Sequence, residues 1–227
     1  MKSNQGSFIW YELLTSDADA ASAFYKSVVG WETSDSGQPG MDYRILNIGG
    51  ESIGGLMAID AEMAAGGARP CWLGYVAVDD VDASVAGFIA AGGVLQMPAM
   101  DLPDVGRFAL VTDPQGAPIY VMTPLASEGG GTSTAFSEDC LGHCAWNEIM
   151  TSDPAAAMDF YAEHFGWSKG DVMPMDDGPD YQFIEHNGAP IGGVMGAPAG
   201  GPPPMWNYCF TIPDIDVGIA AVNAGGG

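Results

Sequence analysis

Basic residues are scarce in this sequence. Its 227 residues include six lysines and arginines against 29 aspartates and glutamates, which gives a formal net charge of −23. A surface of this sign repels phosphate groups, so nucleic acids and anionic membranes are excluded as partners. Two explanations of the acidity stay open: an ordinary solvated acidic surface, or adaptation to high salt.

Long apolar runs and cysteines are also few. No run approaches the roughly 20 apolar residues that a membrane-spanning helix needs. The segment Met1 to Ser7 is polar, which does not fit a signal peptide, so we expect a cytoplasmic protein. Without a secretory signal the four cysteines are expected to be free thiols. Apolar residues still make up 47% of the chain, enough to build a hydrophobic core.

An internal repeat organises the sequence. Residues 10–17 read Trp-Tyr-Glu-Leu-Leu-Thr-Ser-Asp, and residues 146–153 read Trp-Asn-Glu-Ile-Met-Thr-Ser-Asp. Residues 53–57 (Ile-Gly-Gly-Leu-Met) return as residues 191–195 (Ile-Gly-Gly-Val-Met). Self-similarity of this length predicts two copies of one structural unit.

The first copy contains two similar groups of elements. Alternating apolar residues predict a first strand, and an i, i+3, i+4, i+7 apolar stripe predicts the helix that follows it. We expect an α+β fold in which residues 8–123 form two βαβββ modules. The predicted strands are 8–15, 43–48, 52–58, 72–78, 94–97, 106–112 and 117–122, and the predicted helices are 19–29 and 81–91.

The repeat also predicts the domain boundaries. We expect a first domain over residues 1–125, a Ser/Gly/Thr-rich linker over 126–141 and a second domain over 142–227. Residues 226–227 align with 92–93, so the second copy has no counterpart of the last three strands of the first. Because an unfinished sheet leaves strand edges open, we expect a parent protein longer by about thirty residues.

Several short motifs follow one another in the first copy, and all but the last have a related counterpart in the second. They are Trp-x-Glu-Leu-x-Thr-x-Asp, Phe-Tyr in the first helix, Gly-Trp after it, Val-Asp-Asp-Val-Asp before the second helix and Asp-Pro-Gln-Gly before the last strand. This series resembles the glyoxalase / bleomycin-resistance / extradiol-dioxygenase (vicinal oxygen chelate) superfamily, in particular its tandem two-domain glyoxalase-like branch. The resemblance implies paired βαβββ modules that form a cupped mixed sheet around a cleft.

The resemblance also implies four metal-ligand positions per domain. They fall near Trp10, Gly55, Leu73 and Tyr120, and in the second copy near Trp146, Gly193 and Asn207. Divalent metals prefer carboxylate or imidazole ligands, which these positions lack. We therefore predict no metal and no other cofactor.

The candidate site residues are one glutamate in each copy and the residues expected around it. Glu12 and Glu148 share a strand face with Trp10 and Trp146, and they are predicted to be acid–base groups or ligand anchors. Structural alternatives stay open: satisfied glutamates, close packing at the glycine pairs and aromatic core residues. The predicted ligand-binding residues are Trp10, Tyr43, Gly55, Trp72, Tyr120, Trp146, Tyr181, Gly193 and Trp206.

Three functions follow from this pattern. The first is a metal-free protein that binds a small molecule in an aromatic, glutamate-lined cleft. The second is a glyoxalase-like lyase or isomerase, or a dioxygenase-type enzyme, that uses Glu12 and Glu148 for proton transfer. The third is an interaction module whose clefts are relics. The expected partner is a small-molecule ligand, and a homodimer is left open.

Overall fold

The computed structural model describes residues 4–38, 40–125, 133–176, 179–198 and 200–227. Its elements follow one another in an order that repeats after β8. They are β1 (Phe8–Thr15), α1 (Ala18–Val28), β2 (Glu32–Asp35), β3 (Tyr43–Ile48), β4 (Glu51–Ala58), α2 (Ala61–Ala65), β5 (Cys71–Ala77), α3 (Val81–Ala90), β6 (Val94–Leu102), β7 (Gly106–Thr112), β8 (Pro118–Pro124), β9 (Cys144–Thr151), α4 (Pro154–Phe165), β10 (Ser168–Met173), β11 (Tyr181–His186), β12 (Ala189–Gly196), β13 (Met205–Phe210) and α5 (Ile215–Ala224).

An aspartate caps the start of each helix. Asp17 accepts a hydrogen bond from the backbone N–H of Ala20, and Asp153 does the same for Ala156 at the start of α4. The side-chain oxygen satisfies a backbone donor that has no partner inside the helix. At the other end of α4, Gly166 adopts a left-handed conformation with φ of 72°, which a residue without Cβ reaches at no steric cost.

The strands form two mixed sheets. The strand order is β2-β3-β4-β1-β5-β8-β7-β6 in the first sheet and β10-β11-β12-β9-β13 in the second. In both sheets the strand with the Gly-Gly pair runs parallel to the first strand of its copy, which places Glu12 opposite Gly55 and Glu148 opposite Gly193. The α+β fold class and the repeated element order are thus as predicted.

The chain divides into two compact units that do not follow the repeat. Unit A comprises Met1–Ile9, Gly74–Thr132 and Trp146–Tyr208, and unit B comprises Trp10–Leu73, Ser133–Ala145 and Cys209–Gly227. The domain boundaries at 125 and 142 stay a sequence prediction. Of the predicted linker, residues 126–132 lie outside the described residues.

Each unit has an aromatic-rich core next to its helices. In unit B the buried residues Leu13, Trp31 and Leu56 pack with Tyr25 of α1 and with Phe210. In unit A Phe88 of α3 lies against Phe160 and Phe165 of α4, with ring centroids 4.8 and 5.6 Å apart. Burial of these large rings contributes to the hydrophobic stabilisation of each unit.

Three elements were not individually predicted. Strands β2 and β10 and the short helix α2 lie at or near surfaces, and β2 consists of four exposed residues. Polar, exposed strands carry little apolar alternation, which is the signal that locates strands in a sequence. Among the described residues no helix is long and apolar enough to cross a membrane.

Candidate functional site

Strand β1 presents two different faces. Leu13 belongs to the unit B core, and Tyr11 makes an edge contact with Phe210 at 5.8 Å. Because side chains alternate along a strand, Trp10 and Glu12 point to the opposite face of the sheet. Glu12 is nevertheless buried, with 3% of its surface exposed. The carboxylate therefore lies on the face away from the unit B core.

On this face Trp10, Tyr43 and Gly55 are brought together around Glu12. The indole Nε1–H of Trp10 donates a hydrogen bond to the hydroxyl of Tyr43 at 2.9 Å. The Tyr43 ring covers Gly55, so a Cβ built at Gly55 would overlap its phenol oxygen. Gly55 is in turn the direct neighbour of Glu12 on the adjacent strand. We call Trp10, Glu12, Tyr43 and Gly55 the first site.

The second copy repeats this arrangement in unit A. Trp146 Nε1 donates to the Tyr181 hydroxyl at 2.7 Å, and that hydroxyl donates to Glu148 Oε2 at 2.8 Å. The Tyr181 ring covers Gly193, which neighbours Glu148 in the parallel ladder. Glu148 is half-buried, and therefore more accessible than Glu12. We call Trp146, Glu148, Tyr181 and Gly193 the second site.

The two glycines of each Gly-Gly pair have different roles. A Cβ at Gly54 would lie 2.5 Å from the carbonyl oxygen of Tyr11, and one at Gly192 would overlap the carbonyl of Asn147. These glycines allow close approach of two strands. The next glycine, Gly55 or Gly193, instead leaves room for a tyrosine ring over the sheet. Close packing, the structural alternative, explains one glycine of each pair.

Trp72 and Trp206 lie elsewhere, in the aromatic cores. Trp72 Nε1 donates to the Tyr25 hydroxyl at 2.9 Å, and its ring contacts Trp31 and Phe210. Trp206 is 4% exposed and donates to the hydroxyl of Tyr161 at 3.2 Å. These are contacts within the cores, so neither tryptophan belongs to the first or second site, and their predicted ligand-binding role stays a prediction.

Tyr120 belongs to a third aromatic group, within unit A. It stacks on Tyr75 with ring centroids 4.1 Å apart, and Phe108 contacts both rings at about 6 Å. Neither Tyr75 nor Phe108 was predicted from the sequence. Phe183, which lies 5.6 Å from both Trp146 and Tyr181, was not predicted either. Phe183 lies two residues after Tyr181 on strand β11, so the two side chains share a face. This spacing was the signal from which Phe183 could have been predicted.

The four cysteines, all in the described part of the chain, form no disulfide, and Cys71 lies near Glu12. Burial raises the pKa of the Cys71 thiol, and the negative charge of Glu12 raises it further. A thiol with a raised pKa stays protonated at neutral pH, whereas a nucleophile needs the thiolate. This environment therefore disfavours Cys71 as a nucleophile.

The sites offer a poor donor set for a metal ion. Each repeat-matched site has one carboxylate, together with indole and phenol groups, whereas protein metal sites usually combine three or four carboxylate, imidazole or thiolate ligands. In the part of the chain that the structure describes, no three His, Cys, Asp or Glu side chains come together in a way that would hold a metal. The residues at these positions therefore do not fit the metal site that the resemblance implies.

The arrangement as a whole holds a carboxylate beside aromatic rings on one sheet face. In the second site Tyr181 fixes one oxygen of Glu148, and a hydrogen bond to a charged acceptor is worth about 1.5–3 kcal/mol. An oriented, half-exposed carboxylate can accept a hydrogen bond from a ligand or take a proton from it. The rings beside it offer apolar area for a flat molecule.

Comparison with known proteins agrees with this fold. The profile of the Glyoxalase/Bleomycin resistance protein/Dioxygenase superfamily matches residues 7–121. CFP32 of Mycobacterium bovis, which carries the provisional name glyoxylase, is 34% identical over 98% of this chain and 84% of its own length. The chain therefore belongs to the glyoxalase/bleomycin resistance protein/dioxygenase superfamily.

More distant relatives are also similar. The anthracycline biosynthesis protein DnrV of Streptomyces peucetius is 27% identical over 97% of this chain and 82% of its own length. Among solved structures, an Mn(II)-bound glyoxalase from Novosphingobium aromaticivorans has a TM-score of 0.63 at 17% identity, covering 99% of this chain and 72% of that protein. An extradiol ring-cleaving dioxygenase from B. fuscum also has a TM-score of 0.63 at 17% identity, with 98% and 62% coverage. These two structures support the fold alone.

Proposed function

We propose that this protein binds a small, largely aromatic molecule, without a metal ion, at its Trp–Tyr–Glu sites. The observation that carries the proposal is that one arrangement recurs in both copies. A tryptophan indole is hydrogen-bonded to a tyrosine hydroxyl, the tyrosine ring covers a glycine, and a glutamate pairs with that glycine across two strands. Neighbouring positions differ between the copies, for example Tyr11 and Asn147. Packing alone gives no reason to keep a carboxylate at this point of both sheets.

A flat aromatic ligand fits the chemistry of the second site. The half-buried rings of Trp146 and Phe183 provide surface for it, and ligand pockets generally combine such surfaces with a few fixed polar groups. The relative DnrV is named for anthracycline biosynthesis, which concerns polycyclic aromatic molecules. An anthracycline is therefore a reasonable first probe.

The test is a titration of the purified protein with a fluorescent anthracycline, followed by fluorescence polarisation. Tyr181→Phe removes the hydroxyl that joins Trp146 to Glu148, and it should weaken binding about tenfold, because the indole and the carboxylate are then no longer held in position for the ligand. Tyr25→Phe removes a hydroxyl from the unit B core and serves as the matched control. Prior dialysis against a chelator should leave binding unchanged. Equal binding by both variants, or loss of binding on chelation, would refute the proposal.

An enzymatic function is the second candidate. The similarity to CFP32 favours it, because that protein is named a glyoxylase, and Glu12 and Glu148 are the available acid–base groups. Conversion of a 2-oxoaldehyde–thiol adduct to the thioester, followed by absorbance, tests this activity directly. Turnover that Glu12→Gln abolishes while the fold is kept would establish the enzyme. Ligand binding without turnover would instead support the function as a binding protein.

A further inference from the structure

No described lysine or arginine side chain of unit A is paired with Glu148. Unit A contains two described lysine or arginine residues: Arg107 pairs with Asp82 and Asp101, and Lys169 pairs with Asp159. Among the described residues none forms an ion pair with Glu148, which accepts its hydrogen bond from the Tyr181 hydroxyl. A cation bound beside a half-buried carboxylate that has no ion-pair partner is stabilising, because burial weakens the hydration of the carboxylate.

The polar hydrogens of the side chains around Glu148 are already used in hydrogen bonds within the site. The indole N–H of Trp146 is used on Tyr181, and the hydroxyl hydrogen of Tyr181 is used on Glu148. The third ring, Phe183, has no polar hydrogen. These side chains therefore have no hydrogen to donate to an acceptor or an anion on a ligand. What they present is a carboxylate oxygen and the negative faces of aromatic rings, and both attract positive charge.

The charge of the whole protein acts in the same direction. With 29 acidic and six basic residues the chain carries a formal charge of −23. A field of this sign raises the local concentration of cations and lowers that of anions at any surface site. A negatively charged ligand would meet repulsion from the field and from Glu148 together.

We propose that the second site selects an organic cation: an ammonium group, held by Glu148 and the ring faces, attached to an apolar or aromatic body that lies against Trp146 and Phe183. This inference rests on the proposed function, because it names the ligand class of the same site.

The experiment compares two probes that differ in one charged part. One is an anthracycline that carries an amino sugar, and the other is the same molecule with that amine acetylated, which makes it neutral. The amine-bearing probe should bind on the order of tenfold more tightly at low salt, which is what an ammonium placed on a carboxylate and an aromatic face contributes. Added NaCl should reduce this preference, since salt screens the attraction.

Three variants complete the design. Glu148→Gln keeps an oxygen that accepts from Tyr181 and removes only the charge, so the preference for the amine should disappear. Glu163→Gln removes the same charge from α4 of unit A and should leave the preference intact. Glu51→Gln does the same in unit B.

The outcomes separate the two proposals. Equal binding of both probes would overturn the cation inference and leave the proposed function standing. A preference that survives in Glu148→Gln, or that Glu163→Gln removes equally, would also overturn it, because the general field alone would then explain the selectivity. Failure of both probes to bind would count against the proposed function and the inference together.

Discussion

Replacing Gly193 by alanine should displace the Tyr181 ring and so disrupt the second site. Gly193 lies in an extended strand, so alanine meets no backbone strain there, but its Cβ would overlap the Tyr181 ring. Tyr181, which is 6% exposed, would have to swing outward and would lose its hydrogen bonds to Trp146 and Glu148. The lost bonds cost about 1 kcal/mol and about 2 kcal/mol, and alanine returns about 0.5–1 kcal/mol relative to glycine. With the lost ring burial, we expect the free energy of unfolding to fall by about 2–4 kcal/mol.

A double-mutant cycle measured by urea unfolding and circular dichroism tests this reasoning. In a Tyr181→Ala background, Gly193→Ala should cost little, because the overlapping ring is gone. Gly192→Ala is the neighbouring control: its Cβ overlaps a backbone carbonyl, which has no rotamer to escape into, so its cost should persist in both backgrounds. An equal cost of Gly193→Ala in both backgrounds, or no cost in either, would refute the account of the glycine.

Three further predictions concern charge. Glu12→Gln should weaken ligand binding at the first site while urea unfolding stays cooperative; a lowered melting temperature with unchanged binding would assign Glu12 a structural role instead. Raising NaCl from low to molar concentration should raise the melting temperature, because salt screens repulsion within a chain of net charge −23; a flat response would mean that the surface charges do not limit stability. Burial lowers the pKa of His164, so its contribution to stability is full above about pH 6.5 and declines as the pH falls from there toward the folded-state pKa; urea unfolding at several pH values should show a smaller decline for His164→Gln than for the unchanged protein.

The repeat in the sequence was sufficient to predict the fold class and the order of elements. Two aligned copies restrict the boundaries of a strand or helix more tightly than one copy does, and the alternation in residues 8–15 placed Glu12 and Trp10 on a common face. The position of Tyr43 over Gly55, and of Tyr181 over Gly193, was not predicted from the sequence, because it depends on the pairing of neighbouring strands.

The placement of Trp72 and Trp206 could not be predicted in this way. Strand β5 is buried toward its end on both faces, so its composition does not tell which face Trp72 occupies. The deciding contacts are with Tyr25, Trp31 and Phe210, and the last of these is distant in the sequence. Tyr75 and Phe108 were missed for a related reason, because their grouping with Tyr120 depends on the register of three strands.

The most direct test of the Trp–Tyr–Glu sites is an NMR titration of the six tryptophan indole N–H resonances with the amine-bearing anthracycline, after dialysis against a chelator. Selective shifts of the Trp10 and Trp146 resonances are predicted, because these indoles belong to the two sites. The other four indoles lie in the cores and should stay unshifted; they are Trp31, Trp72, Trp167 and Trp206. Shifts confined to those four, or no shift at a saturating probe concentration, would contradict the account.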